Sequence, residues 1–255
     1  NQVRILGESI LAAEGKISAK EEYYKGEYIK KLKGKSAKQA AAALLKEIKK
    51  SLKAAGIKHD VWFSEDKNLH KKGELKKTLE FLKKKGLVEE KEGAKWLNDA
   101  VLIKSDGNPT YFLADLAYHY DKFLKRKFDL AIVMWGADHH GYAARMKKGA
   151  EALGVEPERL KILITQLIRL ISGGKEVKMS KRSGEFITLD DLLEEVGRDA
   201  ARFFFLMHSL DTHMDFNLDL AKERSQKNPV YYAQYALVRC VNILRKSKVK
   251  SQKSK

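Results

Sequence analysis

A short basic run near residue 180 carries the side chains best suited to binding a ligand. Lys178, Lys181 and Arg182 fall within a few residues of one another, shortly after Gly173-Gly174. Cations and backbone N–H groups on one loop can hold several phosphate oxygens together. A Gly-Gly pair between an apolar run and a Lys/Val run predicts a tight hairpin turn. We therefore expect a basic loop on a hairpin, suited to a triphosphate. A solvated basic turn is the alternative interpretation.

A second candidate group lies upstream, where Tyr111 and Asp115 are four residues apart on a predicted helix. Residues at this spacing share one helix face and can contact one ligand. A carboxylate beside a hydroxyl can hold a guanidinium through two parallel hydrogen bonds, which an ammonium cannot match. The pair thus favours a guanidinium ligand, and a solvated surface Asp is the alternative.

The elements that must position these residues follow a βα pattern from residue 110 onward. We expect helices at Thr110–Leu124, His140–Leu153, Leu189–Val196 and Asp199–His208, and strands at Leu130–Trp135 and Leu160–Ile171. A strand that runs into Gly136-Ala137-Asp138 and opens a helix is typical of nucleotide sites, because ligands collect at the carboxyl ends of parallel strands. The pattern predicts an α/β fold.

The first hundred residues show helical periodicity and short strands. The predicted helices are Val3–Ala13, Lys20–Leu32, Ala37–Ala55 and Lys71–Lys84, and the predicted strands are Asp60–Phe63, Leu87–Lys91, Ala94–Leu97 and Val101–Lys104. The expected N-cap of the third helix is Ser36, and Gly56 ends it. After Asn228-Pro229 a further helix runs to a Lys/Ser-rich tail.

Composition limits the class of protein. The chain has 255 residues and a net charge of +17, which favours a polyanionic partner such as RNA. A lysine-rich solvated surface is the alternative explanation. The single Cys240 excludes an internal disulfide, and no apolar run reaches the roughly 20 residues of a membrane span. We expect a cytoplasmic protein that has no membrane partner.

Three stretches resemble known proteins. The run Lys178-Met179-Ser180-Lys181-Arg182 is similar to the second signature of class I aminoacyl-tRNA synthetases. Residues 106–119 and 136–142, taken with the hairpin in that order and spacing, resemble arginyl-tRNA synthetases in particular. The likeness covers nearly the whole chain.

The resemblance implies a Rossmann-like class I synthetase catalytic core that is incomplete at its N-terminus. It implies an α+β insertion and the start of a C-terminal all-α domain. The expected division is a core helix at 1–14, a helical and small β insertion at 15–105, the nucleotide-binding core at 106–224, and the start of an anticodon-binding domain with a basic tail at 225–255.

The resemblance also implies site residues. Those expected to bind the side chain of substrate arginine are Tyr111, Asp115 and His139. Those expected to bind ATP are Gly136, Asp138, Lys178, Met179, Ser180 and Lys181. The implied catalytic residues are Lys178 and Lys181, which would stabilise the pyrophosphate leaving group. No residue is expected to be a metal ligand, and Mg²⁺ would arrive with ATP as a phosphate-bridging ion.

The implied reaction has two steps. The arginine carboxylate attacks the α-phosphate of ATP to give arginyl-adenylate and pyrophosphate, and a tRNA(Arg) terminal hydroxyl then takes the arginyl group. The implied partners are L-arginine, ATP and tRNA(Arg), and the implied state is a monomer. Positioning and charge stabilisation would supply the catalysis.

The sequence departs from the family pattern at two places. The first signature, His-x-Gly-His, does not occur, and we expect it to precede Asn1 in the natural protein. The 255-residue chain is therefore expected to be inactive or nearly so by itself. The loop at Trp96–Ala100 is shorter than the family usually carries, which we expect to matter little for catalysis.

Two other functions stay open at this stage. The missing signature and the positive charge would both suit a non-catalytic RNA-binding protein derived from a synthetase. A nucleotidyltransferase of the same fold that activates a compound other than arginine is the second alternative.

Overall fold

The computed structural model describes residues 2–177 and 187–253. Its helices are α1 (Gln2–Ala13), α2 (Glu27–Lys30), α3 (Ala37–Ala54), α4 (Glu74–Lys84), α5 (Tyr111–Tyr120), α6 (His140–Ala152), α7 (Leu189–Val196), α8 (Arg198–Leu206), α9 (Leu218–Lys222) and α10 (Pro229–Lys253). Its strands are β1 (Glu89–Lys91), β2 (Ala94–Leu97), β3 (Ala100–Ile103), β4 (Ala131–Gly136), β5 (Leu160–Thr165), β6 (Ile168–Ser172), β7 (Lys175–Glu176) and β8 (Met214–Asn217).

Contacts within the chain divide it into two compact units. The first comprises Asn1–Lys58, Ile168–His208 and Met214–Lys255, and the second comprises His59–Leu167 and Ser209–His213. The domain division expected from the sequence assigns functional roles to segments, whereas this division groups residues by contact. The second division therefore does not test the first. Each unit has its own buried core.

The second unit contains two sheets. Strands β1, β2 and β3 form an antiparallel sheet in that order, and β4 pairs with β5 in parallel. Helices α4, α5 and α6 pack beside these strands around a shared apolar core. Alternate residues of β4 face different ways: Ala131 is buried, whereas Ile132 and Met134 are exposed. The parallel pairing expected from the βα pattern is confirmed.

Helices α5 and α6 approach each other closely at Gly149. A Cβ atom at Gly149 would lie 2.6 Å from Leu116 Cδ2 and 3.0 Å from Phe112 Cζ. The first distance is shorter than real Cβ contacts and the second is tight, so a larger residue at Gly149 would force Leu116 or Phe112 to shift. The close approach holds the two helices that carry the candidate site at a fixed spacing.

The first unit packs α1 against α3 and places α7, α8 and α9 beside a three-stranded sheet. The sheet has the order β7-β6-β8, with β6 parallel to β8. Ser36 and Gln39 form a reciprocal capping box at the start of α3, which satisfies two otherwise unpaired N–H groups. The third predicted helix and its N-cap are confirmed.

The Gly173-Gly174 hairpin turn is confirmed. Strand β6 pairs antiparallel with β7 through Ser172 and Lys175, and the φ angles of Gly173 and Gly174 are 58° and 72°. Two successive positive φ angles define the turn type that suits a two-residue hairpin, and only glycine adopts both without strain.

Three predicted elements are wrong. Of the helix expected at 20–32, only α2 forms, since Gly26 has a φ of 113° that breaks the helical path. Residues 60–63 form no strand, because Phe63 instead stacks on Tyr118 with ring centroids 4.2 Å apart. The strand expected at 160–171 is two strands in different sheets, divided where the Gln166 N–H donates to the Leu210 carbonyl.

The remaining elements occur close to their predicted positions. The helix expected at 110–124 narrows to α5, and a wider π-type turn at Asp121–Lys125 follows it. The helix expected at 71–84 begins later, at Glu74, because Gly73 precedes it in the left-handed region. Within residues 2–177 and 187–253, no helix combines the length and apolar character that a membrane crossing requires.

Candidate active site

The carboxyl ends of the two parallel strands of the second unit lie side by side. Gly136 at the end of β4 pairs in register with Thr165 at the end of β5. The Thr165 hydroxyl donates to the Trp135 carbonyl at 3.1 Å. The turn that follows β4 leads directly into α6 at this edge of the sheet. This is the edge where parallel α/β proteins bind their ligands.

The start of α5 is fixed to the antiparallel sheet. The Thr110 hydroxyl donates to the Val101 carbonyl at 2.6 Å and accepts from the Leu113 N–H at 3.4 Å. Thr110 is therefore the N-cap of α5 and also its attachment to β3. As a result, Tyr111 and Asp115 occupy the first two turns of a helix whose position is set by a strand.

Asp115 receives a hydrogen bond from a different helix. The Tyr142 hydroxyl, on α6, donates to Asp115 Oδ2 at 2.7 Å. Burial raises the pKa of the Asp115 carboxyl, the hydrogen bond from Tyr142 opposes that rise, and the charge of Glu65 adds to it. Burial also raises the pKa of the Tyr142 phenol, as does its bond to Asp115, so the phenol remains a donor. Asp115 is thus a partly buried carboxylate with a positioned neutral partner.

Tyr142 lies among the residues that the sequence singled out. Its ring centroid is 5.9 Å from that of Tyr111, 6.3 Å from that of His139 and 5.3 Å from that of Trp135. The structure therefore brings Tyr111, Asp115 and His139 together around one phenol. We call Tyr111, Asp115, His139 and Tyr142 the aromatic carboxylate cluster.

Sequence reasoning missed Tyr142 and a second carboxylate. A cavity of about 190 Å³ is lined by Asp115 and Glu65, together with apolar and aromatic side chains. The local sequence gives no signal for Glu65, because it lies 50 residues before Asp115, at the start of the π-helical turn Asp66–His70. The spacing of Tyr142 three residues after His139 was a usable signal, since such residues share a helix face.

The aromatic wall of the cavity is held by cations. Tyr118 stacks on Phe63, and Lys122 Nζ lies 4.1 Å from the centroid of the Tyr118 ring. Burial lowers the pKa of Lys122 to about 8, and the nearby Arg126 contributes to the decrease. A cation over an aromatic face stabilises both partners where water is partly excluded. The wall therefore consists of two stacked aromatic rings with a cation packed over one of them.

His119 is a buried part of the scaffold on α5. Its Nδ1 lies 2.8 Å from the Asp115 carbonyl, which can only accept, so Nδ1 carries the proton. Burial lowers the pKa of His119 to about 4, with Lys122 as the next cause. The imidazole is therefore neutral at pH 7. No function was predicted for His119 from the sequence, and its side chain is buried.

The turn after β4 presents an exposed carboxylate. Asp138 lies in the single turn Ala137–His139, and its side chain is 80% exposed. A Cβ at Gly136 would lie 2.7 Å from Asp138 Oδ1, so the missing side chain leaves room for this carboxylate. His139 Nε2 is 3.7 Å from Asp138 Oδ2, and His140 is exposed at the start of α6. Asp138 and His139 therefore face solvent at the end of the sheet.

The basic loop itself falls outside the described residues, which omit Lys178, Met179, Ser180 and Lys181. The hairpin before it, in the first unit, is described in full. The Ser172 hydroxyl donates to Asp219 Oδ1 at 3.1 Å, and the Gly173 N–H donates to Asp219 Oδ2 at 2.7 Å. We call Ser172, Gly173 and Asp219 the hairpin anchor. It fixes the turn from the side of α9.

Across residues 2–177 and 187–253, no group of three or more His, Cys, Asp or Glu side chains is arranged to hold a metal ion.

The fold and the turn after β4 define a class of protein. The family model described as tRNA synthetases class I (R), catalytic domain, matches residues 11–210. The chain belongs to this family. The α/β fold class and the parallel sheet with flanking helices, expected from the sequence, are confirmed.

Relatives within the family carry one name. Arginine–tRNA ligase from Carboxydothermus hydrogenoformans is 54% identical over 209 residues, and the match covers 79% of this chain and 37% of that protein. Arginine–tRNA ligase from Heliobacterium modesticaldum is 50% identical over 216 residues, with coverage of 82% and 38%. The chain thus spans little more than a third of the length of these relatives.

Solved structures agree with this assignment. A Campylobacter jejuni structure assigned as an arginyl-tRNA synthetase has a TM-score of 0.85 and is 35% identical, covering 97% of this chain and 61% of that one. Thermus thermophilus arginyl-tRNA synthetase has a TM-score of 0.67 at 18% identity, covering 95% and 56%, and so supports the fold alone.

Proposed function

We propose that this chain carries part of the active site of an arginine–tRNA ligase. The complete protein would use ATP to convert L-arginine to arginyl-adenylate and pyrophosphate, and would then transfer the arginyl group to tRNA(Arg). The observation that carries the proposal is the pair of carboxylates, Asp115 and Glu65, at one cavity of about 190 Å³. The names of the relatives support it.

The cavity suits a guanidinium on chemical grounds. Asp115 is raised in pKa mainly by burial and also by Glu65, so a cation placed between the two carboxylates would relieve both effects. A planar guanidinium can bond carboxylates through two N–H groups at once and can lie against aromatic rings such as Phe63 and Tyr118. Tyr111, Asp115, Glu65 and His139 are the residues we assign to arginine.

The ATP site is proposed at the carboxyl end of β4. Gly136 would allow close approach of the adenosine, and the exposed Asp138 carboxylate would accept from a ribose hydroxyl. By the family resemblance, Lys178, Met179, Ser180 and Lys181 would also bind ATP, and the two lysines would stabilise charge on the transferring phosphates. Mg²⁺ supplies further charge neutralisation when it is bound to the phosphates of ATP. The net charge of +17 suits tRNA as the second substrate.

Arginine-dependent ATP–pyrophosphate exchange tests the proposal. The full-length protein that carries this sequence should support exchange with L-arginine and tRNA(Arg), and not with lysine, whose ammonium cannot bond in parallel to a carboxylate. A thermal-shift screen of the standard amino acids should show stabilisation by arginine. Exchange driven by another amino acid would contradict the substrate, and the absence of any exchange would favour a non-catalytic RNA-binding role. That the 255-residue chain alone is inactive stays a prediction for the same assay.

A further inference from the structure

Tyr142 is a tyrosine whose ring is held on several sides. It lies in the first turn of α6, and its ring centroid is 6.2 Å from that of Phe112 in an edge-to-face arrangement. Trp135 and Tyr111 pack near it, at centroid distances of 5.3 and 5.9 Å. A ring enclosed in this way has few alternative rotamers. The hydroxyl at its tip therefore has a fixed position.

That hydroxyl joins two elements that are distant in sequence. It donates to Asp115 Oδ2 at 2.7 Å across 27 residues of chain, from α6 to α5. A carboxylate has about four acceptor positions on its two oxygens, so one phenol leaves acceptor positions for a ligand. A single fixed donor can thus orient the carboxylate without saturating it.

The charges around Asp115 decide what this donor does. Glu65 faces it from the segment before α4, Lys122 from the turn after α5, and Tyr111 from its own helix, while His119 contacts only its backbone carbonyl. Burial and Glu65 favour the protonated carboxyl, whereas Tyr142, Lys122 and Tyr111 favour the carboxylate. Among the latter, the hydrogen bond from Tyr142 has the largest effect on the pKa of Asp115.

We propose that Tyr142 is a positioning residue for arginine binding: its hydroxyl orients the Asp115 carboxylate toward the cavity shared with Glu65. This inference rests on the function proposed above. Tyr142 itself need not contact the substrate. Its role differs from that of a merely structural tyrosine because it acts through the protonation and orientation of one acid.

Replacing Tyr142 by phenylalanine in the full-length protein tests the inference. Phenylalanine keeps the packed ring and removes only the donor. We expect the KM for arginine in ATP–pyrophosphate exchange to rise roughly 10- to 100-fold, the effect of losing one hydrogen bond to a charged group. The kcat and the KM for ATP should not change. The rise should be greatest at acid pH, because the carboxyl of the variant has a higher pKa and is protonated first.

Tyr120→Phe is the matched control. Tyr120 lies at the end of the same helix as Asp115 and packs against Phe81, with ring centroids 5.2 Å apart. This variant should match the wild type in both Michaelis constants and in their pH profiles. Circular dichroism and the thermal midpoint should show that both variants are folded.

The possible outcomes separate the two proposals. If the wild type requires arginine but Tyr142→Phe has the same arginine KM and pH profile as Tyr120→Phe, the positioning role is wrong and the proposed function stands. A loss of kcat without a change in arginine KM would also overturn the positioning role. If the wild type does not require arginine, both proposals fail.

Discussion

Two aspartates in different regions of this protein differ in burial and in the partners that the chain supplies. In the aromatic carboxylate cluster, Asp115 is partly buried, and burial raises the pKa of its carboxyl. In the hairpin anchor, Asp219 is exposed and accepts from the Ser172 hydroxyl and the Gly173 N–H. The chain supplies both partners of Asp219 within the same turn. At Asp115 the chain supplies a donor and also a second acid, Glu65.

In the sheet next to the hairpin anchor, another carboxylate is also paired with donors of the same chain. Arg169 on β6 and Asp215 on β8 form a two-point ion pair, with Nε to Oδ1 at 2.7 Å and Nη2 to Oδ2 at 3.0 Å. Phe216 beside it is fully buried in the core of the first unit. Carboxylates there are already matched by donors of the same chain and contribute to structure.

The difference indicates which acid is available to a ligand. A carboxylate that already accepts from two donors of its own chain gains little from an external cation, because that cation would have to replace existing bonds. A partly buried carboxylate that also faces another acid gains much more, because a cation offsets both desolvation and repulsion. On this argument we propose that Asp115 is the acid that binds a ligand, whereas Asp219 holds a turn.

The largest expected effect follows from substituting the buried acid. In the full-length protein, Asp115→Asn should weaken arginine binding by about 2–4 kcal/mol, because a charged pair in a partly buried site is lost. The KM for arginine in ATP–pyrophosphate exchange measures it. Asp219→Asn is the matched control and should leave that KM unchanged. An unaltered KM in Asp115→Asn would contradict the assignment of the arginine site.

The next largest effect concerns the stability of the folded protein in acid, which depends on the buried His119 on the same helix as Asp115. The folded-state pKa of His119 is about 4, below the ordinary value of 6.5, so the neutral form is favoured by folding. Its contribution to stability is complete above pH 6.5 and is lost as the pH falls toward 4. The loss amounts to roughly 3 kcal/mol.

Urea unfolding of the wild type and of His119→Asn at several pH values measures this loss. Asparagine keeps a donor near the Nδ1 position and does not titrate, so the variant should lose less stability than the wild type between pH 6.5 and 4. His208, which is exposed in the first unit, provides the control, and His208→Asn should follow the wild type. Parallel curves for wild type and His119→Asn would show that the imidazole is not held neutral.

The smallest effect is expected at the hairpin anchor. Asp219→Ala removes the acceptor of both the Ser172 hydroxyl and the Gly173 N–H. It should lower the free energy of unfolding by about 1 kcal/mol, because both donors are exposed and can bond to water instead. Urea unfolding measures the change. Asp219→Asn keeps one acceptor oxygen and should lose less. A large fall in arginine affinity in either variant would break the distinction between the two regions.

The sequence was a good guide where the determinants are local. The N-cap at Ser36, the Gly173-Gly174 turn and the helices of the βα pattern depend on neighbouring residues, and each occurs where it was predicted or close by. One error, the helix expected at 20–32, has a local cause in the φ of Gly26, whereas the other two involve partners distant in sequence. The apolar run at 160–171 could have formed one strand, and only its separate partners β4 and β8 divide it into two.

The same division applies to the candidate site. Helical spacing placed Tyr111 beside Asp115, because four residues make about one turn. The resemblance to the family's motifs indicated His139 as a candidate site residue. Neither could supply Glu65, which reaches the cavity from the start of a π-helical turn distant in sequence, or the hydroxyl of Tyr142, whose partner is 27 residues away.

By itself, the sequence indicated the family, through the resemblance of its motifs, and most of the helices and strands, through local periodicity and turn residues. It also singled out Asp115, whose spacing from Tyr111 suits a guanidinium ligand. Only the tertiary structure decided the state of that acid. Whether a carboxylate is buried, which donor it meets and which second charge it faces depend on helices and loops that meet in space, here α5, α6 and the segment around Glu65. The electrostatic energies involved vary with distance and burial, and neither is encoded at any single position.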